Sequence, residues 1–135
     1  MIVTQLGVDT FYNDPLANLS LTSKGFCHAV RFFKGLNTPW VALGGGGYHP
    51  VNVARAWTLA WSIMQDQELG QESLPASFQA TLRGLGHNEK WLRDEDHQEE
   101  EAKWQRANYE AKATIRAVQE TIFPFFNIHT DSRWF

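Results

Sequence analysis

The chain has 135 residues, 43% of them hydrophobic, with six tryptophans and nine phenylalanines. That is enough apolar mass for one real core, and it excludes a disordered chain. The net charge of −3 is unevenly placed, with five basic and five acidic side chains in residues 1–88 and seven and ten in residues 89–135. No basic stripe marks a nucleic-acid footprint, no leader or long apolar run marks a secretory or membrane route, and the single Cys27 excludes an internal disulfide. A cytoplasmic protein with neither nucleic-acid nor membrane partners is the expectation.

Taken in order, the apolar pattern from Ile2 to Val8 predicts a strand, with Asp9 at its carboxyl end, the edge where α/β proteins place their chemistry. On its own, a carboxylate there is more often a loop hydrogen-bonder than a metal ligand. A buried parallel strand needs neighbours on both sides. One that begins this close to Met1 is short of a neighbour within the chain. Asn13-Asp14-Pro15 is a turn-initiating cluster. Thr22 is placed to cap a helix running to about Gly35, with Phe26, Val30 and Phe33 on its core face and Lys24 and His28 in solvent. Gly35 and Asn37 end it, and Trp40 to Leu43 reads as the next strand of a βαβ unit.

Four glycines, Gly44 to Gly47, then Tyr48, lead into Pro50 at a first helical position. The helix is expected to reach about Leu69, with Val53, Trp57, Ala60, Trp61 and Met64 as its apolar face and both tryptophans buried. Glycines on a strand-to-helix turn either take positive φ or let something approach closely, so they form a pocket wall with the Tyr48 hydroxyl at its lip. The alternative is a tyrosine merely packed on a glycine surface. A nucleotide loop is excluded, because no Lys, Ser or Thr follows Gly47 where the phosphate-binding fingerprint needs it. Arg55 is expected to reach a carboxylate or carbonyl within the fold.

Residues 71–87 are polar and carry no motif, with a short helix from Pro75 to Leu82. The acidic stretch Asp94 to Glu101 reads as the solvated start of a long helix, where each negative group gains about 0.3–1 kcal/mol from the macrodipole. Trp104, Ala111, Ile115, Val118 and Ile122 form a stripe expected to pack on the body, Pro124 stops the helix, and the aromatic tail Phe125, Phe126, Trp134 and Phe135 is expected to dock on the domain or a neighbour. The organisation is thus a motif-bearing βαβα core, 1–69, and a helical extension, 70–135.

GGGGY (Gly44 to Tyr48) followed by NVARAWT (Asn52 to Thr58) resembles the zinc-dependent deacetylases of the histone deacetylase superfamily. QLGVDT (Gln5 to Thr10), DPL (Asp14 to Leu16) and LTSKG (Leu21 to Gly25) match the same family in order and spacing. The version YHPVNVARAWTLAW is most similar to the bacterial acetoin-utilization-type branch. The resemblance is strong from Ile2 to Met64, thin afterwards, and covers only the last part of the family's domain. It implies an α/β fold: the three-layer, parallel-sheet C-terminal portion of an arginase/deacetylase-like architecture, ending in a long helix. It makes Asp9 a zinc ligand, places Leu16, Gly45, Gly46 and Gly47 along the substrate channel, and gives Tyr48 the hydrogen bond to the scissile carbonyl and then to the oxyanion. A phenol suits that task, being a directed donor that stays neutral at pH 7. Acetylated proteins or small acetylated amines are the implied substrates. Members that bind inositol phosphates carry an arginine where this chain has Val51, so that regulatory site is not expected.

Amide hydrolysis on zinc needs three protein ligands, an open fourth position, a base and an oxyanion donor. This chain offers one ligand and the donor. The family's Asp-x-His ligands and tandem-histidine base do not occur, and His28, His49, His87, His97 and His129 are isolated in sequence. By itself the chain is expected to be catalytically silent and free of zinc. A non-catalytic α/β interaction module, self-associating as a homo-oligomer through the surface left by absent strands, is the alternative.

Overall fold

The computed structural model describes residues 1–67, 69–94 and 101–129. Strands β1 (Ile2–Gln5) and β2 (Trp40–Leu43) pair in parallel, with Ile2 opposite Trp40 and Gln5 opposite Leu43. β1 ends short of the expected Val8 because its partner stops being a strand at Gly44. The backbone nevertheless keeps its bonds. Leu6 N–H donates to Leu43 O at 2.8 Å and Val8 N–H to Gly46 O at 2.7 Å, so the chain leading to Asp9 is laced to the glycine turn.

Helix α1 (Ser23–Gly35) starts where expected, Thr22 Oγ1 accepting from Gly25 N–H at 3.3 Å. Phe26, Cys27 and Val30 are buried, Phe33 is half-buried against Trp40, and Lys24 and His28 are exposed. Helix α2 (Pro50–Met64) ends five residues before Leu69, where Asp66 turns to a left-handed φ of 59°. Its buried face is Val51, Asn52, Arg55, Ala56, Leu59, Ala60, Ser62 and Ile63. Trp57 is only half-buried and Trp61 is 62% exposed, against expectation. Trp61 stands two residues from both Leu59 and Ile63, about 200° round the helix, and so points away from the core that they enter. Lys34, near the end of α1, donates to Ile63 O at 2.6 Å and pairs with Asp66, joining the two helix ends.

The chain divides into two compact units, 1–95 and 96–135, so residues 70–94 group with the motif-bearing part, whereas the sequence reading set a break after 69. Helix α3 (Ala76–Gly84) lies between two segments that pair antiparallel: Leu74 N–H donates to Lys90 O and Leu92 N–H to Glu72 O, both at 2.8 Å. Leu74, Leu82 and Leu92 enter the same core as Val8, Phe11 and Leu59. Asp94, expected in solvent, has a side chain only 5% exposed because it meets Arg55 at 2.8 Å. The rest of the acidic stretch, residues 95–100, lies outside the described residues.

The second unit contains α4 (Glu101–Thr121) and a 3-10 turn, Phe123–Phe126. Trp104, Ile115, Val118 and Ile122 are exposed, as are Phe125 and Phe126, while Trp134 and Phe135 lie outside the described residues. The α/β class, the parallel strand pair and the long C-terminal helix are as expected. Among the described residues of the first unit, Val3, Val41 and Leu43 lie exposed on one side of the sheet. No helix among the described residues is long and apolar enough to cross a membrane.

Candidate active site at the glycine turn

Asp9 and the glycine turn meet at the carboxyl ends of β1 and β2. A Cβ placed on Gly46 would overlap the Asp9 carboxylate, and one on Gly45 would overlap the Gln5 side chain. The carboxylate therefore lies directly on side-chain-free backbone. Gly47 has φ +149°, and a Cβ there would run into Val8 and Val53. Glycine is required at this corner on both counts, conformation and space. Tyr48 follows with 54% of its surface exposed, and Leu16 is 71% exposed. The structure thus sets Asp9 against the short turn that carries Gly45, Gly46, Gly47 and Tyr48.

Asp14, read from sequence only as a turn former, proves to be the joint of the site. Its Oδ2 accepts from Tyr48 N–H at 2.8 Å, and its Oδ1 accepts from Leu16 N–H at 2.9 Å and Ala17 N–H at 3.1 Å. One carboxylate thereby holds the Leu16 loop to the Tyr48 turn. Burial pushes its pKa up, but the backbone N–H groups of Tyr48, Leu16, Ala17 and His49 outweigh this and leave it below the ordinary 3.8. Next to it, Asn52 Nδ2 donates to Asn13 Oδ1 at 2.5 Å, tying the first turn of α2 to the same loop. The signal available in sequence was the Asx-turn chemistry of Asn13-Asp14-Pro15. Its long-range half was not visible there.

Arg55 fulfils its expectation twice over, with Nε donating to Leu92 O at 3.0 Å and one terminal nitrogen to Asp94 Oδ1 at 2.8 Å. Val51, where an inositol-phosphate site would need an arginine, is fully buried. For zinc, the donor set around Asp9 does not suffice. Among the described residues, the group of three metal-ligating side chains within mutual reach is His49, His87 and Glu89, without Asp9. A lone carboxylate does not make the three-ligand site that catalytic zinc requires.

A profile of the histone deacetylase domain matches residues 1–64. Over 71 residues, 53% of this chain, the sequence is 45% identical to the type-1 histone deacetylase 1 of Dictyostelium discoideum and 42% identical to the human histone deacetylase 1. The matched part is 14% and 15% of those proteins, so the chain spans a small fraction of their length. The crystal structure of an HDAC homologue from Aquifex aeolicus superposes with a TM-score of 0.60 at 29% identity, covering 73% of this chain and 29% of that one. The same agreement holds for an HDAC homologue complexed with SAHA. Residues 1–64 are thus similar in sequence to the histone deacetylase domain, and 73% of the chain shares the fold of an HDAC homologue.

Proposed function

We propose that the chain is the C-terminal part of a zinc-dependent hydrolase that removes acetyl groups from acetyl-lysine in proteins or from small acetylated amines. The carrying observation is the contact of Asp9 with Gly46, two residues before Tyr48, which sets a metal-ligand candidate beside an oxyanion-donor candidate. In this reading Asp9 contributes one ligand, and the remaining ligands and the base come from Asp-x-His and tandem-histidine residues outside this chain. Tyr48 supplies a neutral hydrogen bond to the carbonyl oxygen and to the oxyanion that replaces it. Gly45, Gly46 and Gly47 let the substrate run close to the backbone, with Leu16 at the channel edge. The segment YHPVNVARAWTLAW supports an acetoin-utilization-type branch, and the single cysteine suits the cytoplasm.

The test is acetyl-lysine peptide hydrolysis with metal analysis, run on this chain and on a longer polypeptide carrying it together with the missing ligands. In the longer protein Tyr48→Phe should keep its zinc and lose about 10²–10³ in kcat. Asp9→Asn should lose both zinc and activity, because a neutral amide is a poor ligand for a hard dication. The 135-residue chain alone should show no turnover. Unchanged zinc and rate in Asp9→Asn would remove the assignment, and turnover by the short chain would remove the need for outside ligands. A self-associating, non-catalytic module is the second reading, favoured by the exposed Val3, Val41 and Leu43 on the sheet.

A further inference from the structure

The residue after Tyr48 belongs to a different cluster. His49 is the N-cap residue of α2, yet its side chain makes no capping bond. Facing it are His87 and Glu89, on the loop that follows α3. One ligand atom from each of the three residues lies within 4.8 Å of the other two. They converge without bonding. His49 Nε2 stands 3.6 Å from Glu89 Oε1 and His87 Nδ1 stands 3.9 Å from Glu89 Oε2, both beyond hydrogen-bond length. The two imidazoles meet edge to face with centroids 5.0 Å apart. His49 Nδ1 and Glu89 Oε2 are buried with no hydrogen-bond partner. Leaving one buried polar group unsatisfied costs about 1–3 kcal/mol, so Glu89 Oε2, set between two imidazoles, points to an occupant that binds it.

We propose that His49, His87 and Glu89 form a site for a divalent transition-metal ion, separate from Asp9, that pins the backbone beside Tyr48 to the 87–89 loop. Two imidazoles and one carboxylate are a donor set that suits zinc and its first-row neighbours. Zinc bonds of about 2.0–2.2 Å in tetrahedral geometry set donors roughly 3.3–3.6 Å apart. The His49–Glu89 pair is already at that spacing, and small side-chain rotations bring His87 in. The loop is held on both sides of the ligands. His87 N–H donates to Leu82 O at 2.9 Å after Gly86 turns through φ +84°, and Lys90 and Leu92 are bonded to Leu74 and Glu72. Side chains 15%, 26% and 23% exposed for His49, His87 and Glu89 leave the ion a way in. Because this loop runs on through Leu92 to Asp94, the ion would join the start of α2 to the same segment that Arg55 grips six residues below the cap.

The experiment is calorimetric titration of the 135-residue chain with zinc chloride, with cobalt(II) absorption reporting the ligand geometry. One ion per chain is expected, with tetrahedral cobalt bands. Glu89→Gln and His87→Ala should each weaken binding by at least about 10-fold, the lower bound set by losses of mere outer-shell partners. Asp9→Asn should leave the affinity as it is. Glu89→Gln keeps the side-chain shape, so its metal-free melting curve should match the wild type and separate lost ligation from lost folding. Binding that survives both substitutions, binding abolished by Asp9→Asn instead, or no binding at micromolar zinc would each overturn the site. Since Asp9 is not a ligand here, failure of the deacetylase reading would leave this result standing.

Discussion

Asp14 carries more of the site's geometry than either residue expected to do chemistry. The N–H groups of Leu16, Ala17 and Tyr48 converge on its two oxygens, with that of His49 beside them. An asparagine must turn one NH2 toward at least one of those donors, so Asp14→Asn should loosen the Leu16 loop, the Tyr48 turn, or both. Its folded pKa lies below 3.8, so the carboxylate's contribution to stability is fully present above that value and is lost as pH falls through the lower folded value. Thermal unfolding of wild type should therefore fall off below about pH 4, while Asp14→Asn starts lower at neutral pH and loses less on acidification. An equal acid dependence in both would remove this role. That Asp9 ends the first strand pattern and the glycine turn leads into Tyr48 is legible in the sequence because both patterns are local. Asp14 was half-legible, since its bond to Tyr48 spans 34 positions that no short pattern encodes.

Among the elements, α1 and β2 could be read from sequence because local chemistry decides them: a threonine cap, a regular apolar face, a short apolar run. Thr22→Ala should cost about 1 kcal/mol in chemical denaturation, the usual worth of a cap. For α2 the sequence predicts the start at Pro50 correctly, but its C-terminal end and buried face differ in the structure for a physical reason. Its buried face includes the polar Asn52 and Arg55, whose partners lie 39, 37 and 39 residues away at Asn13, Leu92 and Asp94. An apolar count rotates the helix away from such residues and toward Trp61. The Arg55–Asp94 pair is 6% and 5% exposed, and removing one member of a buried pair costs about 3–5 kcal/mol. Arg55→Met should show that loss in equilibrium unfolding. A loss under about 1 kcal/mol would place the pair with weak surface ion pairs instead. Asp94→Leu added to it should recover only part, because Asp94 Oδ2 also accepts from Ser23 N–H at 2.6 Å.

For the molecule as a whole, the described sheet has two strands and one exposed apolar side, Val3, Val41 and Leu43. Unpaired strand edges and exposed apolar surface favour association. Sedimentation of the chain at micromolar concentration should show dimers or larger species, and Val41→Lys should shift them toward monomer. A wild-type monomer would show that this face needs no cover. The α/β class was legible from the order of strand and helix patterns. The grouping of residues 70–94 with the first unit was not, because Leu74, Leu82 and Leu92 are spread through polar sequence. The bond between Ser23 and Asp94 joins positions 71 apart, and that separation bears on how the chain is made. On the ribosome, Met64 emerges thirty residues before Asp94, an interval of about 1.5–6 s at usual translation rates. For those seconds α2 carries an arginine with nothing to grip and α1 a first turn with no anchor. Asp94 is the closing stitch of the newborn unit, and a pause in synthesis just ahead of it would lengthen the time this half-finished surface spends among its neighbours.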